Sequence, residues 1–234
     1  DNVMMAAVLA KGTTIIDGAA AEPEVIDLAE FLNKMGAKVE GAGTSQITIH
    51  GVEELHGAEH TVIPDRIEAG TFLVAGAMAG KEVTLARTRA DHLTAVTDEL
   101  TKCGHEISVD GENMVVRPAS NPSGGDIKTE AYPGFPTDMQ AQMGALFTLT
   151  PGISIIMETI FPQRFMYVAE LTRLGANVQM EGSTAIIRGV DNLSAAPVMA
   201  SDLRASAALV LAALRAEGET EITRVYHIDR GYEN

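Results

Sequence analysis

The 234-residue sequence is poor in cysteine and in basic residues. Its one cysteine, Cys103, excludes a framework of internal disulfides. Lys and Arg number 17 against 32 Asp and Glu, and the resulting net charge of -15 argues against sequence-independent binding to nucleic acid or an anionic membrane. Any anionic ligand must therefore be bound by a few well-placed arginines.

The sequence also lacks patterns for export, membrane insertion or zinc binding. The longest apolar run, "ASAALVLAALRAEG" at 205–218, is interrupted by Arg215 and is shorter than the roughly 20 residues that span a bilayer. The N-terminal residues do not follow the charged, apolar and small-residue order of a signal peptide. None of the 6 histidines has metal-ligand spacing with the cysteine. We therefore expect a cytoplasmic protein without a membrane segment.

What the sequence does contain is a repeat of about 70 residues, too long for a typical solenoid. In each copy a helix ends at a glycine suited to a left-handed C-cap, and two short strands follow; the glycines are Gly36, Gly104 and Gly175. Upstream of the second hairpin we predict a strand at "HTVIP" (60–64) and a helix from Asp65 to Gly80. The unit is then βαβαββ, and its sheets are mixed because a crossover helix joins parallel strands.

The two ends of the sequence do not complete a repeat unit. "DNVMMAAVLAKG" is typical of a first helix without its preceding strand. "EITRVYHIDRGYEN" (221–234) predicts a strand without the later helix and hairpin. We therefore expect the chain to correspond to part of a larger protein.

Acidic residues recur where the repeated helices begin, at Asp65, Asp138 and Asp202. Two prolines precede Asp138, and Thr137 or Asp138 is placed to cap the first amides of the helix that follows. Capping alone explains each carboxylate. Arg66, next to Asp65, and Arg204, two residues after Asp202, favour another role, because a cation opposes the helix dipole there. If several of these helices point at one cleft, their amides form an anion site.

Two further arginines, Arg164 and Arg230, lie at predicted strand ends or turns. A surface salt bridge is one interpretation of each. The other is that they act together with Arg66 and Arg204, since guanidinium groups bind carboxylate or phosphate through two points. Cys103 lies at a helix end, and we predict that it packs in the core.

Several motifs together resemble the UDP-N-acetylglucosamine 1-carboxyvinyltransferases, which are enolpyruvyl transferases. They are "YPGFPTDMQAQ", "RFMYVAELTRLGA", "MASDLRASAALVLA" and "YHIDRGYE", and the likeness extends through "EPEVIDLAEFLNKMGA" and "PDRIEAGTFLVA" to essentially all 234 residues. The resemblance implies an α/β fold of repeated βαβαββ units, the inside-out α/β barrel, with helices inside and mixed sheets outside. It implies that residues 1–60 are the last unit of a first lobe and 61–234 an incomplete second lobe.

The resemblance also implies the reaction and its residues. The family transfers the enolpyruvyl group of phosphoenolpyruvate to the 3-hydroxyl of UDP-N-acetylglucosamine and releases phosphate, the first committed step of peptidoglycan synthesis, with consequences for cell shape, the cell cycle and cell division. Asp138 matches the proposed general base, and Arg230 an arginine that engages the donor. Ile160 matches a backbone contact to the sugar nucleotide and is followed by Phe161. Further charged residues match the cleft: Arg164, Asp202 and Arg204. No metal or organic cofactor is implied.

The departures from the family are specific. The family's cysteine loop and its Lys-Asn pair belong to the first lobe and have no counterpart here, and Cys103 does not match that cysteine. We therefore expect negligible turnover by the chain alone, with the missing first lobe as its partner. The alternative is a non-catalytic truncated paralogue or folding module that binds a ligand or partner. A shikimate substrate is disfavoured by the motifs but not by the fold.

Overall fold

Alternating burial marks the sheet in the first part of the computed structural model, which describes residues 1–232. Residues 1–64 with 131–133 form one compact unit, unit 1. The antiparallel strand order is β1-β3-β2, and Ile47 and Ile49 of the central strand lie in the core of this unit. Its elements are α1 (Asn2–Ala7), β1 (Thr13–Asp17), α2 (Pro23–Lys34), β2 (Lys38–Glu40) and β3 (Gln46–His50).

The rest of the described chain, 65–130 and from 134 onward, forms unit 2. Its helices are α3 (Arg66–Ala79), α4 (Thr94–Lys102), α5 (Gln140–Thr148), α6 (Met166–Arg173) and α7 (Leu203–Ala213). Its longer strands are β4 (Val83–Leu85), β5 (Glu106–Asp110), β6 (Asn113–Arg117), β7 (Asp126–Lys128), β8 (Ile153–Met157), β9 (Asn177–Glu181) and β10 (Thr184–Arg188). Four two-residue strands follow: β11 (Leu193–Ser194), β12 (Val198–Met199), β13 (Ala216–Glu217) and β14 (Ile222–Thr223). Short 3₁₀ helices occupy Ala90–His92, Thr137–Met139 and Val225–Arg230.

The pairing of these strands confirms the predicted hairpins, but only one of the three larger sheets is mixed, because the sheets β1-β3-β2 and β4-β6-β5 are wholly antiparallel. β2/β3, β5/β6 and β9/β10 are antiparallel, whereas β7 runs parallel to β8 in the sheet β7-β8-β10-β9. The glycines after the helices have the predicted left-handed backbone, with φ of 99° at Gly36, 96° at Gly104 and 93° at Gly175. Local turn chemistry therefore fixes where each hairpin begins.

Three helices of unit 2 form the interior on which its sheets pack. All nine residues of α5 are buried, and α5 packs against both α3 and α7. Apart from Gln140, Gln142 and Thr148, its residues are apolar or glycine, as is typical of a helix inside a protein. Close packing depends on Gly144, where an added Cβ would lie 2.8 Å from the Tyr167 hydroxyl oxygen. Within residues 1–232, none of the helices combines the length and apolarity that a membrane span requires.

Two predicted strands differ from the structure. Residues 60–64 form no strand, because they have no strand partner within the described chain; Val62 is 72% exposed, and His60 Nε2 lies 2.9 Å from an Asp27 carboxylate oxygen. In 221–234, only Ile222–Thr223 is a strand and Val225–Arg230 is a 3₁₀ helix. The last two residues of that prediction lie outside the described residues. A strand requires a neighbour, which a local pattern does not supply.

Candidate functional site

One cleft of unit 2 gathers most of the candidate residues. Its volume is about 790 Å³. The residues that line it come from four segments of the chain: Asp138, Phe161, Pro162, Gln163, Arg164, Asp202, Leu203, Arg204 and Arg230. Six of the seven predicted site residues are among them. Ile160 does not line the cleft, although it precedes Phe161 and is 40% exposed.

Asp138 lies between two arginines on the wall of the cleft. Its Oδ1 is 2.6 Å from Arg164 Nη1, and its Oδ2 is 3.4 Å from Arg204 Nη2. The Asp138 side chain is 38% exposed, against 25% for Arg164 and 13% for Arg204. The arginines therefore hold the carboxylate from the protein side and leave part of it accessible to a ligand.

The prediction that Thr137 or Asp138 caps the following helix is wrong. Asp138 lies inside the 3₁₀ helix that leads into α5, and neither the 3₁₀ helix nor α5 has a side-chain cap. The Thr137 hydroxyl donates to Glu158 instead. Both candidate capping groups are thus occupied by tertiary contacts, which the local sequence pattern does not show.

Asp65 and Asp202 do cap their helices, as predicted. Asp202 Oδ1 accepts from the amides of Arg204 and Ala205, both at 2.9 Å. Asp65 Oδ1 likewise accepts from two amides of α3, at 2.7 and 3.0 Å. Because these carboxylates already occupy the amides, an anion site built from the helix starts of α3 and α7 is not supported. Anion binding in the cleft depends on guanidinium groups.

The charge of the cleft is opposite to that of the whole chain. Three arginines and two aspartates line it, a net charge of +1, whereas the sequence carries -15. Arg164 forms the salt bridge expected from its first interpretation, with Asp138 as partner. Arg230 has no acidic side chain within 4.0 Å among residues 1–232, so its charge remains available to a ligand.

Arg164 is held from several sides. Its Nη1 donates to the Thr137 hydroxyl at 3.2 Å, and its Cζ lies 5.6 Å from the centre of the Phe161 ring. Gln140 donates to its carbonyl oxygen at 3.3 Å. The Phe161 side chain is 57% exposed and offers an apolar face at the cleft. A guanidinium fixed in this way presents a defined direction to its ligands.

Other reactive side chains lie outside the cleft. Cys103 is buried, and burial raises the pKa of its thiol to about 11, so it is a poor nucleophile. This agrees with the predicted packing role. In the described part of the chain, no group of three or more His, Cys, Asp or Glu side chains is arranged to bind a metal ion.

Glu158, a buried carboxylate directly after β8, is not among the residues predicted from the sequence. It is 1% exposed and contacts both Thr137 and the Ile160–Phe161 backbone. The signal that could have identified it is a single acidic residue in the apolar run "ISIIMETIF" (153–161). A charge in such a run requires partners, which the sequence alone does not name.

The repeated order of helix, strand, helix and hairpin, with buried helices and a cleft that contains arginines, is typical of the enolpyruvyl transferase fold, and one unit, β7 to β10, has the complete βαβαββ order. The chain belongs to the EPSP synthase (3-phosphoshikimate 1-carboxyvinyltransferase) family, whose profile matches residues 1–234. A solved structure of the enolpyruvyl transferase NikO from Streptomyces tendae superimposes with a TM-score of 0.88 at 28% identity, over 98% of this chain and 55% of that one. EPSP synthase from Acinetobacter baumannii shares the fold, with a TM-score of 0.69 at 19% identity over 98% of this chain and 56% of its own.

Curated relatives are more similar in sequence. Proteins named UDP-N-acetylglucosamine 1-carboxyvinyltransferase from Akkermansia muciniphila and Myxococcus xanthus are 64% and 54% identical to the chain, each over 100% of it. One from Caldanaerobacter subterraneus, with the same name and the number 1, is 58% identical over 99%. The chain spans about half the length of these relatives, 55% to 56%.

Proposed function

We propose that the chain forms part of an enolpyruvyl transferase that moves the enolpyruvyl group of phosphoenolpyruvate to the 3-hydroxyl of UDP-N-acetylglucosamine. The observation that carries this proposal is the Asp138 carboxylate, held by Arg164 and Arg204 at the wall of a cleft. The sequence relatives named for this reaction, at 54% to 64% identity, supply the substrate class.

Asp138 acts as the general base in this proposal. The sugar 3-hydroxyl gives its proton to the carboxylate while its oxygen bonds to C2 of phosphoenolpyruvate. C3 gains a proton from an acid in the half of the site that this chain does not supply, and the same group takes a proton back from C3 when the adduct breaks down. The tetrahedral adduct then loses phosphate from C2 and a proton from C3, which restores the enol double bond. The exposed part of Asp138 suits this role, because a general base must come within hydrogen-bond reach of the hydroxyl.

The other candidate residues bind and orient the two substrates. We assign the anionic donor to Arg230, whose guanidinium has no acidic partner among the described residues. The Ile160 amide already donates to Glu158 at 2.8 Å, so its carbonyl oxygen is the group available to the sugar nucleotide. The Phe161 ring offers apolar contact beside it. Asp202 caps α7 and thereby places Arg204 in the cleft.

The proposal also gives a role to the half of the relatives' length that this chain does not span. We assign residues 1–60 to a first lobe and 61–234 to a second, which the compact unit of residues 1–64 supports. The missing part of the first lobe would supply the family's cysteine and Lys-Asn pair. We also propose a cytoplasmic location, because both substrates are anions that cross membranes poorly, and a role in peptidoglycan synthesis and hence in cell shape, cell cycle and division.

The test uses the chain alone and a chimera. In the chimera, this chain replaces the matching 235 residues of the Akkermansia muciniphila relative. Phosphate release is measured with phosphoenolpyruvate and UDP-N-acetylglucosamine. We expect the chimera to turn over at roughly 1 per second or faster and the chain alone to be far slower, because the transition state needs groups from both halves.

Three other results would change the assignment. Rapid turnover by the chain alone would contradict the shared site. A folded chimera that is silent while the unmodified relative is active would favour a non-catalytic module. A chimera that accepts shikimate 3-phosphate in preference to UDP-N-acetylglucosamine would keep the reaction type and replace the substrate.

A further inference from the structure

Glu158 is a buried acid held by four hydrogen bonds from neutral groups. Its Oε1 accepts from the Thr129 hydroxyl at 2.7 Å and from the amides of Ile160 and Phe161 at 2.8 and 2.9 Å. Its Oε2 accepts from the Thr137 hydroxyl at 2.8 Å. No basic side chain lies within 4.0 Å of it in the described part of the chain. A carboxylate is tolerated in the interior when its lone pairs are matched in this way.

The four donors join separate segments around the cleft. Thr129 lies directly after β7, and its hydroxyl also accepts from the Thr159 amide at 2.9 Å. Ile160 and Phe161 form the turn that carries the aromatic wall of the cleft. Thr137 immediately precedes Asp138. Glu158 itself does not line the cleft, yet it contacts the backbone or the neighbour of residues that do.

The bond to Thr137 leads on to Asp138. Since the Thr137 hydroxyl donates its hydrogen to Glu158, its oxygen is free to accept from Arg164 Nη1, which lies 3.2 Å away. That same Nη1 lies 2.6 Å from Asp138 Oδ1. The carboxylate of Glu158 therefore sets the direction of the hydroxyl, and the hydroxyl helps to orient the guanidinium against the proposed base.

We propose that Glu158 is a positioning residue for the sugar-nucleotide side of the reaction. Its Oε1 fixes the Ile160–Phe161 backbone. Its Oε2 orients the Thr137 hydroxyl, which accepts from Arg164, and Arg164 in turn contacts Asp138. This role rests on the proposed function. It gives no role to Glu158 in binding the donor, because Arg230 belongs to a different segment, the 3₁₀ helix Val225–Arg230.

The test compares Glu158→Gln, Thr137→Val and Thr129→Val in the chimera. The glutamine oxygen keeps the three bonds of Oε1, while its amide nitrogen cannot accept from Thr137. Thr137→Val removes the same link from the other side with little change in shape. Thr129→Val is the matched control, because it removes one bond of the same carboxylate, together with the acceptor of the Thr159 amide, and leaves the link between Glu158 and Thr137 intact.

We expect Glu158→Gln and Thr137→Val each to lower kcat/KM for UDP-N-acetylglucosamine by roughly 10- to 100-fold, as a small misplacement of reacting groups does. The double variant should lose no more than either single variant, since both break one link. The KM for phosphoenolpyruvate should change by less than about 3-fold, and Thr129→Val should leave both constants within about 3-fold. Thermal unfolding of each variant confirms that the fold persists.

Equal kinetics for all three variants, or an equal rise in the KM for both substrates, would overturn the positioning role and leave the proposed function intact. If Glu158→Gln does not fold, Thr137→Val alone decides between these results. An unmodified chimera without activity would instead count against the proposed function, a result that the two sets of measurements keep separate.

Discussion

Three helices of unit 2 begin near an aspartate, yet only two of these aspartates cap a helix. Asp65 and Asp202 each accept two backbone amides at the starts of α3 and α7. Asp138 accepts none, and its oxygens face Arg164 and Arg204 in the cleft. One residue type at similar places in a repeat thus caps a helix in two copies and lines the cleft in the third.

The difference between these starts is the 3₁₀ helix before α5. Asp65 and Asp202 have extended backbones just before their helices, which directs the side chain back to the first amides. Asp138 lies within the 3₁₀ helix Thr137–Met139, and its side chain accepts no hydrogen bond from the first amides of α5. An extra 3₁₀ turn before the helix is therefore enough to change an aspartate from a helix cap to a residue that lines the cleft.

Asp138→Asn is the sharpest way to break the comparison. In the chimera it should lower kcat by about 100- to 10,000-fold, the range for loss of a general base. The free energy of unfolding should fall by no more than about 1 kcal/mol, because Asp138 is partly exposed, the asparagine oxygen still accepts from an arginine, and no helix cap is lost. Phosphate release and urea unfolding measure the two quantities. Asp65→Asn is the control, because asparagine also caps helices and Asp65 lies outside the cleft. A stability loss without a kinetic loss would assign Asp138 to the fold.

Arg230→Ala should have the next largest effect. Loss of a charged hydrogen bond to the donor should raise the KM for phosphoenolpyruvate by roughly 10- to 100-fold. Stability should hold, since no acidic partner within residues 1–232 loses its ion pair. Steady-state kinetics with varied phosphoenolpyruvate measure the change, and Arg188→Ala, at an exposed site outside the cleft, is the control. An unchanged KM would remove Arg230 from the donor site.

Cys103 is buried in the core, in contrast to the accessible groups that line the cleft. Because burial raises the pKa of its thiol from 9.0 to about 11, the native state favours the neutral thiol. Its contribution to stability is complete below pH 9 and is lost as the pH rises through about 11, by roughly 3 kcal/mol. Urea unfolding at several pH values should show this loss in the unmodified chain and not in Cys103→Ala. Parallel pH curves for the two proteins would contradict it.

The smallest expected effects belong to the two caps. Asp65→Ala and Asp202→Ala should each lower the free energy of unfolding by about 1 kcal/mol, measured by urea unfolding. Asp65→Ala should leave kcat unchanged. Asp202→Ala should also lower activity, because its cap places Arg204 beside Asp138. If both variants lost activity equally, the helix starts would not be distinct in function.

Local chemistry made much of this fold predictable. The glycines after α2, α4 and α6 need a left-handed backbone, and their positions give the helix ends and the hairpins directly. The helix from Asp65 to Gly80 is likewise set by its own caps. The strand at 60–64 failed because its existence depends on a partner strand elsewhere, which no local signal provides.

The site was less predictable from residue patterns than from family resemblance. The resemblance named seven residues, of which six line one cleft in the structure, whereas the local pattern predicted Thr137 or Asp138 as a helix cap. Asp138 instead contacts Arg164 and Arg204, which are 26 and 66 positions away along the chain. Glu158 was not predicted because its partners, Thr129 and Thr137, are also distant in the sequence, and these contacts form only on folding.

The single buried cysteine also provides a way to measure how often the core of unit 2 opens. A thiol reagent added to the native chain can label only one atom, Cys103 Sγ, and only while the surrounding core is open. The labelling rate therefore measures how often that core opens when reclosing is fast. Any ligand that binds the closed form must slow labelling in proportion to its occupancy, so affinity is measurable without turnover.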